Sequence, residues 1–509
     1  MFWLSASILV SSVLLVQLLR KSQTKRRLPL PPGPKGYPLI GNMLDLPTVT
    51  PWKTYREWSR TYGELVYLDL PLRPTVILGS AKAAFDLLEK RSDIYSDRPA
   101  NLMITLTGWG FNLGMMHYSD RWRAHRRGFH QYFNERAYQQ WRPIQVDECH
   151  MFLRRLLDNP KDIDKYTRLV LSATILRIVY GMRINSPNEP YIDVVKKATY
   201  GFSVAVVPGT FWISYLPQLH FLLDWFPGTR YKQFAKEIRT AVDNMIIGPL
   251  KTVMKDMETN NAEPCIAASF LAKAREQHRE DEDWETQEEI IANVTGVAHA
   301  AGAETTNSAL QYFLIAMTLF PHVQKSAQEE LDAVVGPHRL PEFEDFDKLV
   351  YIRAVVLESL RWQTGFPIGV PHRTMKDDEY NGYFIPRGAE IIPNAWAMLR
   401  DPEDYPDPEE FKPERYIKDG KLDPNVRDPS TIAFGFGRRI CPGRHLASAS
   451  LFLLIASTLH TFNIEPEGER FDPETMISDG FLSGPTKVPL VLKPRSKDTE
   501  QLILESSTM

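Results

Sequence analysis

The chain has 509 residues, of which 43% are hydrophobic and 24% are charged, a composition that is ordinary for a folded enzyme and excludes a disordered chain. Its 60 basic and 63 acidic residues give a formal net charge of −3, which argues against a protein that coats nucleic acid through a strongly basic face. Three cysteines, Cys149, Cys265 and Cys441, cannot form a disulfide framework, and we therefore expect the body of the chain to lie in a reducing compartment.

The N-terminal segment predicts a transmembrane anchor. Residues 2–19 carry no charge, and at ~1.5 Å per residue a helix of this length spans about 27 Å, enough to cross a thin bilayer. Basic residues follow at once, whereas a cleaved signal peptide has its positive charge before the apolar run. We therefore favour a signal-anchor over residues 1–20 rather than a cleaved signal, with the basic side and the main domain in the cytosol.

A basic, proline-rich hinge is expected over residues 21–36, because its prolines cannot continue a helix and favour a stiff, extended spacer. Beyond the hinge, helical periodicity dominates. Short β-like pieces are predicted at 65–70, 75–78, 381–385 and 488–492. The pattern predicts one large, mainly α domain with a minor β portion over residues 37–495, followed by a loose tail over 496–509.

One long apolar helix is predicted through the middle of this domain. The charged stretch 257–284 is typical of a surface loop with a short helix, and Thr286-Gln-Glu-Glu289 has the pattern of a capping box. The helix is then expected to run from Ile290 to about Leu319, which is long enough to cross the whole domain.

Residues 201–230 are rich in aliphatic and aromatic side chains, and three prolines interrupt them. Two interpretations stay open. The segment is either an ordinary core element, or an apolar surface that touches the bilayer and guards a substrate entrance.

Cys441 lies in the glycine-rich segment Phe434-Gly-Phe-Gly-Arg-Arg-Ile-Cys-Pro-Gly443, directly before a helical run that starts at Arg444. An isolated cysteine is most often a small, buried apolar residue. Here the glycines let the backbone approach a flat ligand, and N–H groups at the helix start, together with nearby arginines, favour the thiolate. Because no second Cys or His lies nearby at zinc spacing, a single thiolate suits one axial position on an iron that a macrocycle holds.

This segment resembles the haem-binding loop of the cytochrome P-450 family, F-G-x-G-x-R-x-C-x-G, at every fixed position. The resemblance implies the cytochrome P-450 fold, with a long central helix over haem b, and it makes Cys441 the axial ligand of the haem iron. It also implies that Arg439 pairs with a haem propionate and that Phe434 packs near the sulfur, with Gly435 in the same cofactor-binding loop.

Glu358-Ser-Leu-Arg361 is a second match to the family. Alone, an acid and a base three residues apart on a helix are usually a solvated pair of little value. In the family, such a motif joins the arginine of a later segment, which here is Arg415. The resemblance therefore implies a buried ion cluster, in which the charges must be mutually paired and serve folding.

Trp122 and Arg126 resemble the family's W-x-x-x-R helix, in which positions i and i+4 share one face and can both reach haem carboxylates. His372, after Pro371, resembles a further propionate contact. Without the haem motif, the arginines around Trp122 would be equally typical of a solvated face. The same basic face, with Arg438 and Arg444, is expected to dock an acidic electron donor.

Ala301-Gly-Ala-Glu-Thr-Thr306 lies inside the predicted long helix, where an interior glycine costs about 1 kcal/mol. We expect a local break in which the Thr305 hydroxyl bonds the carbonyl of Ala301 and opens a groove for water. The segment resembles the family's A-G-x-[D/E]-T-T motif, which implies that Thr305 and Glu304 relay protons during oxygen activation. His299, one turn earlier, is typical of a packed core residue rather than of a second iron ligand.

The family's usual arrangement also implies an apolar substrate pocket. Its expected walls are Phe111, Val297, Ala298, Ala301, Ile368, Val370 and Phe481.

Taken together, the motifs imply a haem-thiolate monooxygenase, most similar to fungal microsomal members of specialised metabolism, in the endoplasmic reticulum membrane. It would insert one oxygen atom from O2 into a lipophilic terpenoid, polyketide or indole-type metabolite. NADPH and flavins would act only through a separate NADPH–cytochrome P-450 reductase, with cytochrome b5 as a second candidate donor, because the 68 residues after Cys441 leave no room for a flavin domain. No nucleic acid partner is expected.

Two alternatives stay open. The first is an oxygen-independent haem-thiolate isomerase or dehydratase, which the presence of Glu304 and Thr305 disfavours. The second is a haem sensor or carrier without catalysis.

Overall fold

The computed structural model describes residues 28–506, except 39, 72, 208–209, 215–219, 222–227, 278–283, 469–471, 473–476 and 479–480. The anchor predicted over residues 1–20 and the basic part of the hinge lie outside the described residues. Among the residues described, no helix combines the length and the apolar character that crossing a membrane requires.

The chain divides into two compact units. Of the described residues, the first unit contains those from 28 to 99, Ile368–Met398 and Phe436–Arg439; the second contains those within Ala100–Pro367, Leu399–Gly435 and 440–506. The helices in chain order are α1 (Pro51–Tyr62), α2 (Ala81–Ala84), α3 (Ser92–Tyr95), α4 (Leu102–Leu106), α5 (Asp120–Phe133), α6 (Arg142–Asp158), α7 (Ile163–Tyr180), α8 (Pro190–Val206), α9 (Arg230–Glu258), α10 (Ile266–Gln277), α11 (Trp284–Gly302), α12 (Glu304–Leu319), α13 (Pro321–Val334), α14 (Val350–Trp362), α15 (Ala395–Met398), α16 (Ser430–Ala433), α17 (Arg444–Thr461) and α18 (Lys497–Ser506). The strands are β1 (Leu65–Leu68), β2 (Thr75–Leu78), β3 (His372–Arg373), β4 (Asp378–Tyr380), β5 (Tyr383–Ile385), β6 (Glu390–Pro393), β7 (Ile417–Lys418), β8 (Lys421–Leu422), β9 (Phe462–Pro466) and β10 (Leu490–Pro494).

The first unit is built on a four-stranded sheet with the order β1-β2-β6-β3. Strand β2 is buried along its whole length and pairs antiparallel with β1 and parallel with β6. The register places Ile77 opposite Val66 on one side and Ile392 on the other. β-Branched residues pack well on the buried face of a sheet, and these three form the small core of this unit together with Tyr55 and Leu68.

The second unit is helical and has its core around α7, α12 and α17. Residues 306–317 of α12 are buried on every side, and most of α7 and α17 is buried as well. A helix that is apolar all round must lie inside a large domain. The long central helix that the sequence predicts is therefore the centre of this unit, where α12 contacts both α7 and α17.

The fold class predicted from the sequence, mainly α with a minor β portion, is confirmed. The strands expected at 65–70 and 75–78 are β1 and β2, and those expected near 381–385 and 488–492 are β5 and β10. The polar stretch after residue 257 forms the end of α9, a loop and α10, as far as it is described.

Two predictions of local structure are wrong. The helix already includes Trp284, so Thr286 is not its N-cap, and the Glu289 carboxylate instead accepts hydrogen bonds from Arg121 and Asn293. The tail predicted to be loose over 496–509 is helical over Lys497–Ser506, and Ile503 is fully buried in the core of the second unit. The domain boundaries at residues 20, 36 and 495 stay predictions.

Candidate active site

The cysteine loop, residues 434–443, is closed by its own backbone. The N–H of Cys441 donates to the carbonyl of Phe434 at 2.8 Å. Gly435 has a φ of +77° and Gly437 a φ of +52°, the left-handed region that glycine adopts without strain. A Cβ atom on Gly437 would stand 2.3 Å from the Leu88 carbonyl oxygen, so this position also needs glycine for a close approach. The predicted turn is therefore present, and Cys441 lies three residues before Arg444, the first residue of α17.

The thiol of Cys441 lies where the sequence predicts donors to its sulfur. The backbone N–H groups of Gly443 and Arg444, and the charges of Arg126 and Arg444, lower its pKa, but burial outweighs them and leaves the pKa of the thiol raised. A cation bound to the sulfur would supply the charge that stabilises a buried thiolate. Among the residues described, no three His, Cys, Asp or Glu side chains form a metal cluster. A single thiolate at the start of a helix fits one ligand position on an iron whose remaining ligands come from a macrocycle.

Helix α5 supports the cysteine loop from the side. Its N-cap is Ser119, whose hydroxyl accepts from the N–H of Trp122 at 3.2 Å. One turn further, the Arg126 guanidinium donates to the carbonyl of Ile440 at 2.7 Å, directly before Cys441. Trp122 itself is buried. Arg126 thus positions the cysteine loop through a backbone contact. The contact with a haem propionate that the family implies for Arg126 stays a prediction.

The first unit contains a cationic cluster of Arg98, His372 and Arg439, all of them buried. Backbone carbonyls hold each side chain. Arg98 donates to Val370 and Pro371 at 2.8 and 2.7 Å, His372 donates through Nδ1 to Tyr95 at 2.7 Å, and Arg439 donates to Ser96 at 2.7 Å.

Burial and mutual repulsion act together in this cluster. Burial lowers the pKa of Arg98, and the charge of Arg439 lowers it further. Burial and both arginines hold the pKa of His372 well below its usual range. Such a concentration of buried positive charge is relieved by an anion, and haem carboxylates would supply one. The sequence predicts His372 and Arg439 here but misses Arg98, which matches none of the motifs considered.

The structure brings Glu358, Arg361 and Arg415 together in one buried ion cluster. Arg361 binds Glu358 through two hydrogen bonds, of 2.7 and 2.8 Å, and both side chains are fully buried. Arg415 donates to the same carboxylate at 3.2 Å, and so does the Tyr416 hydroxyl, at 3.1 Å. Arg361 also donates to three backbone carbonyls between residues 399 and 410. The cluster therefore fastens α14 to the segment that precedes the cysteine loop in the chain.

The central helix is broken where the sequence predicts. α11 ends at Gly302 and α12 begins at Glu304. The Thr305 hydroxyl donates to the carbonyl of Ala301 at 2.9 Å, as expected. Ala301 is exposed, although the residues before it in α11 are buried. The break therefore leaves Ala301 and the half-buried Thr305 beside open space.

Glu304 is tied to the neighbouring helix α7. Its carboxylate accepts from Arg168 at 3.0 Å, and both side chains are about a fifth exposed. Asp164, one turn earlier on α7, lies 3.8 Å from Arg168 and accepts from Gln311 of α12 at 2.5 Å. The predicted proton-relay acid is thus held in an ion pair, a partner that sequence spacing does not reveal.

An aromatic row connects the predicted pocket walls of the second unit. Its members are Trp109, Phe202, Phe481 and Phe366, whose successive ring centroids lie 4.9, 5.8 and 5.3 Å apart. Phe111 stacks on Trp109 with a centroid distance of 5.4 Å. The sequence predicts Phe111 and Phe481 but misses Trp109 and Phe202, which come from two separate segments.

The remaining predicted wall residues divide between the units. Val297 and Ala298 are buried on α11 in the second unit. Ile368 and Val370 belong to the first unit, where both are half-buried and Ile368 packs against the core around the sheet. Their contact with a substrate stays a prediction. His299 is buried with its ring edge-on to Tyr180, at a centroid distance of 5.7 Å, as expected for a packed core residue.

Comparison with known proteins adds an independent line of evidence. A protein-family model described as Cytochrome P450 matches residues 31–491. The chain is 40% identical to cytochrome P450 monooxygenase ple1 of Rhodocybe pseudopiperita, over 95% of this chain and 92% of that protein. It is 40% identical to cytochrome P450 monooxygenase COX2 of Coprinopsis cinerea, over 86% and 83%. It is 39% identical to tryptamine 4-monooxygenase of Psilocybe cyanescens, over 93% and 94%.

Proposed function

Because the chain belongs to the cytochrome P450 family, we propose that it oxidises a lipophilic terpenoid, polyketide or indole-type metabolite with Cys441 as the axial haem ligand. The family binds haem b and receives electrons that originate from NADPH, and the chain is a haem-thiolate monooxygenase that acts on small molecules. The observation that carries the proposal is the cysteine loop, in which one cysteine receives N–H groups at the start of α17.

Two sets of side chains would hold the haem. Cys441 would bind the iron, and Arg126 fixes the loop around it through the Ile440 carbonyl. Arg98, His372 and Arg439 would receive the haem carboxylates. Trp122 would add its indole N–H from α5, while Phe434 and Gly435 shape the loop that approaches the ring.

Bound haem supplies oxygen activation, which an electron-donating thiolate ligand favours. The protein's part is to hold protons and exclude water. The Thr305 hydroxyl donates to the Ala301 carbonyl, with 2.9 Å between the two oxygen atoms. Rotation about the Cα–Cβ bond would let the same hydroxyl donate into the open space beside it. Glu304 would return protons from solvent, with Arg168 keeping its carboxylate beside the helix break.

The aromatic row supports a flat or alicyclic apolar substrate. Rings whose successive centroids lie 4.9–5.8 Å apart form one connected apolar surface that suits a flat or alicyclic ring. One relative is named for tryptamine, which carries an indole ring. The indole-type class is therefore one of the three to test first.

We further propose a single-pass anchor in the endoplasmic reticulum membrane, with the catalytic part in the cytosol. Uncharged residues 2–19 followed by a basic cluster support it. Tyr37, Leu44 and Val49, which follow the hinge, are 52%, 72% and 62% exposed, and such apolar exposure suits a bilayer surface. Phe221, in the segment 201–230, is 87% exposed, which favours the membrane-contact interpretation of that segment.

NADPH–cytochrome P-450 reductase is the proposed electron donor, with cytochrome b5 as a second donor. Charge complementarity on the basic face of α5 supports docking of an acidic partner. Two of its arginines are already paired, Arg121 with Glu289 and Arg123 with Asp120. The net positive charge offered to a partner is therefore smaller than the sequence alone suggests.

The test uses microsomes that contain the full chain, with and without NADPH–cytochrome P-450 reductase, and a panel of terpenes, polyketides and indoles. We expect a reduced carbonyl complex with the red-shifted absorption of a thiolate-ligated haem, and a product that requires the reductase. Cys441→Ala should abolish both. Cys265→Ser is the matched control, because Cys265 is buried and its sulfur accepts from the backbone N–H groups of Ala267 and Ala268 in its own segment.

Other outcomes would decide between the alternatives. Turnover without reductase would favour the isomerase or dehydratase. Haem binding with no product from any member of the panel would favour the sensor. A carbonyl complex whose absorption survives Cys441→Ala would remove the axial role of this cysteine.

A further inference from the structure

Three separate segments meet at Ser483 in the second unit. The Ser308 hydroxyl of α12 donates to the Ser483 carbonyl at 2.6 Å. The Tyr312 hydroxyl, one turn further on α12, lies 3.2 Å from the Ser483 hydroxyl. The Ser483 N–H donates to the carbonyl of Gly365, which follows α14. We call these four residues the Ser483 junction.

The junction is buried and closely packed. Ser308, Tyr312 and Ser483 are 4%, 1% and 2% exposed. A Cβ on Gly365 would stand 3.4 Å from Leu482, and one on Gly484 would stand 3.4 Å from the Ser308 hydroxyl. Buried hydroxyls and amides keep their geometry because an unpaired polar group is costly. The junction therefore fixes both the position and the approach of the segment around Ser483.

The junction lies between two parts of the candidate active site. Ser308 follows Thr305 by three residues on α12, so the two residues are separated by about 4.5 Å along the helix axis, slightly less than one turn. On the other side, Phe481 precedes Ser483 by two residues and Phe366 directly follows Gly365. These two rings are neighbours in the aromatic row, with centroids 5.3 Å apart.

We propose that Ser308 and Tyr312 are positioning residues that fix the distance between Thr305 and the wall formed by Phe481 and Phe366. This inference rests on the proposed function, because it treats the aromatic row as the substrate wall. The hydroxyls act through Ser483 and touch neither substrate nor haem. Their effect is to set how far a substrate ring extends from the oxygen-activating part of the helix, and hence which carbon of the substrate is oxidised.

The test compares two azoles on the haem-loaded full-length protein. Imidazole binds the iron alone, whereas 4-phenylimidazole also carries a ring that must fit the wall. Ser308→Ala should weaken 4-phenylimidazole binding by about fivefold or more, the size expected for one lost buried hydrogen bond. Imidazole binding should change by less than about twofold, since the iron ligand is not disturbed.

Tyr312→Phe is a second variant, and it removes a hydroxyl without changing the ring. It should shift 4-phenylimidazole binding in the same direction by a smaller factor. Ser359→Ala is the matched control, because that buried hydroxyl donates only to Val355 of its own helix, at 2.7 Å. In a Phe481→Ala background, Ser308→Ala should have no further effect on 4-phenylimidazole, since the group that it positions is gone.

The outcomes separate this inference from the proposed function. Equal weakening of both azoles in Ser308→Ala and Tyr312→Phe would show a general disturbance of the haem site and overturn the inference. Unchanged binding of both azoles would overturn it too, as would a full effect that persists without the Phe481 ring. A wild-type protein that binds no haem would instead overturn the proposed function.

Discussion

The Thr305 hydroxyl donates a hydrogen bond to the Ala301 carbonyl at the break in the central helix. Thr305→Ala removes this proton and leaves the haem-holding residues intact. We expect normal haem content and a several-fold rise in hydrogen peroxide formed per NADPH consumed in reductase-supplemented microsomes, because proton delivery contributes about 10²–10⁴ in rate where it is used. The measurement is the ratio of peroxide to NADPH, with haem content as the reference.

Thr295→Val is the control for Thr305→Ala. Thr295 lies on the preceding helix α11, is buried, and donates to the Ile291 carbonyl at 2.8 Å in the same i to i−4 arrangement. The control variant should keep the wild-type peroxide ratio. If both variants raise the ratio equally, helix geometry rather than the Thr305 proton controls coupling.

Glu358 provides the second prediction at the scale of a single residue. Glu358→Gln leaves the buried Arg361 and Arg415 with one carboxylate fewer, and breaking a buried ion pair costs about 3–5 kcal/mol. We therefore expect a marked drop in the urea concentration at half-unfolding. Glu57→Gln is the control, because Glu57 and Arg60 have the same spacing but are 63% and 59% exposed. That variant should leave the midpoint almost unchanged.

This pair of sites also shows the limit of a short motif. Glu57-Trp-Ser-Arg60 and Glu358-Ser-Leu-Arg361 are the same pattern, and each forms a 2.7 Å ion pair within its helix. Only the second is buried, and it also binds Arg415, which lies 54 residues after Arg361. Spacing predicts the pair in both cases. The second pair matters because residues far along the chain bury it. The family resemblance predicts that burial, whereas the local residues alone do not.

At the scale of elements, the break between α11 and α12 depends on a glycine for steric reasons. A Cβ on Gly302 would stand 2.9 Å from Ile175 of α7. Gly302→Ala should therefore destabilise the protein, although alanine is favoured over glycine by about 1 kcal/mol in a helix. The measurement is the thermal or urea midpoint of the haem-free and haem-loaded protein.

Two variants test the cause assigned to Gly302. Gly248→Ala, in α9, meets no atom within 4 Å and should be neutral or stabilising. In an Ile175→Ala background, Gly302→Ala should cost less than in the wild type, because the side chain that it meets is removed. Equal costs in both backgrounds would mean that the helix break itself, and not the contact with α7, requires glycine.

The elements differ in how well their sequences predict them. β1 and β2 are short β-branched runs between turns, so their local pattern suffices. The break near Ala303 follows from a glycine and two threonines in an apolar helix. The N-terminus of α11 is missed because the Thr286 capping pattern also fits the inside of a helix, where Glu289 binds Arg121 of α5. α18 is missed because its segment is mostly polar and has one fully buried residue, Ile503. The Ser496 and Thr499 side chains, which cap its start reciprocally, do not stand out in such a sequence.

For the molecule as a whole, the sequence predicts the site residues that belong to contiguous motifs. Cys441, Glu358 and Thr305 stand in patterns that can be read locally. Arg98 and Ser308 cannot be found that way, because their partners lie 272 and 175 residues away. Long-range contacts set the cationic cluster and the Ser483 junction, and single-sequence periodicity carries no information about them.

Stability as a function of pH depends on the buried histidines. Burial lowers the pKa of His299 to about 4, whereas an unfolded histidine titrates near pH ~6.5. Between these values the unfolded chain binds more protons than the folded chain, so the free energy of unfolding falls as pH falls. At pH 7 this histidine imposes no penalty, and at pH 5 the two pKa values give a loss of about 2 kcal/mol.

His299→Gln tests this account in the detergent-solubilised full chain. Urea unfolding at pH 7 and pH 5 should show a difference in free energy between the two pH values that is smaller by about 2 kcal/mol in the variant than in the wild type. His338→Gln is the control, because His338 is exposed and its replacement should leave the pH difference unchanged. Burial is the main cause of the lowered pKa of His299, and the Tyr180 ring packs edge-on against the imidazole. An unchanged pH difference in His299→Gln would therefore mean that water reaches the imidazole of His299. The packing of α11 against α7 would then be looser than the structure shows.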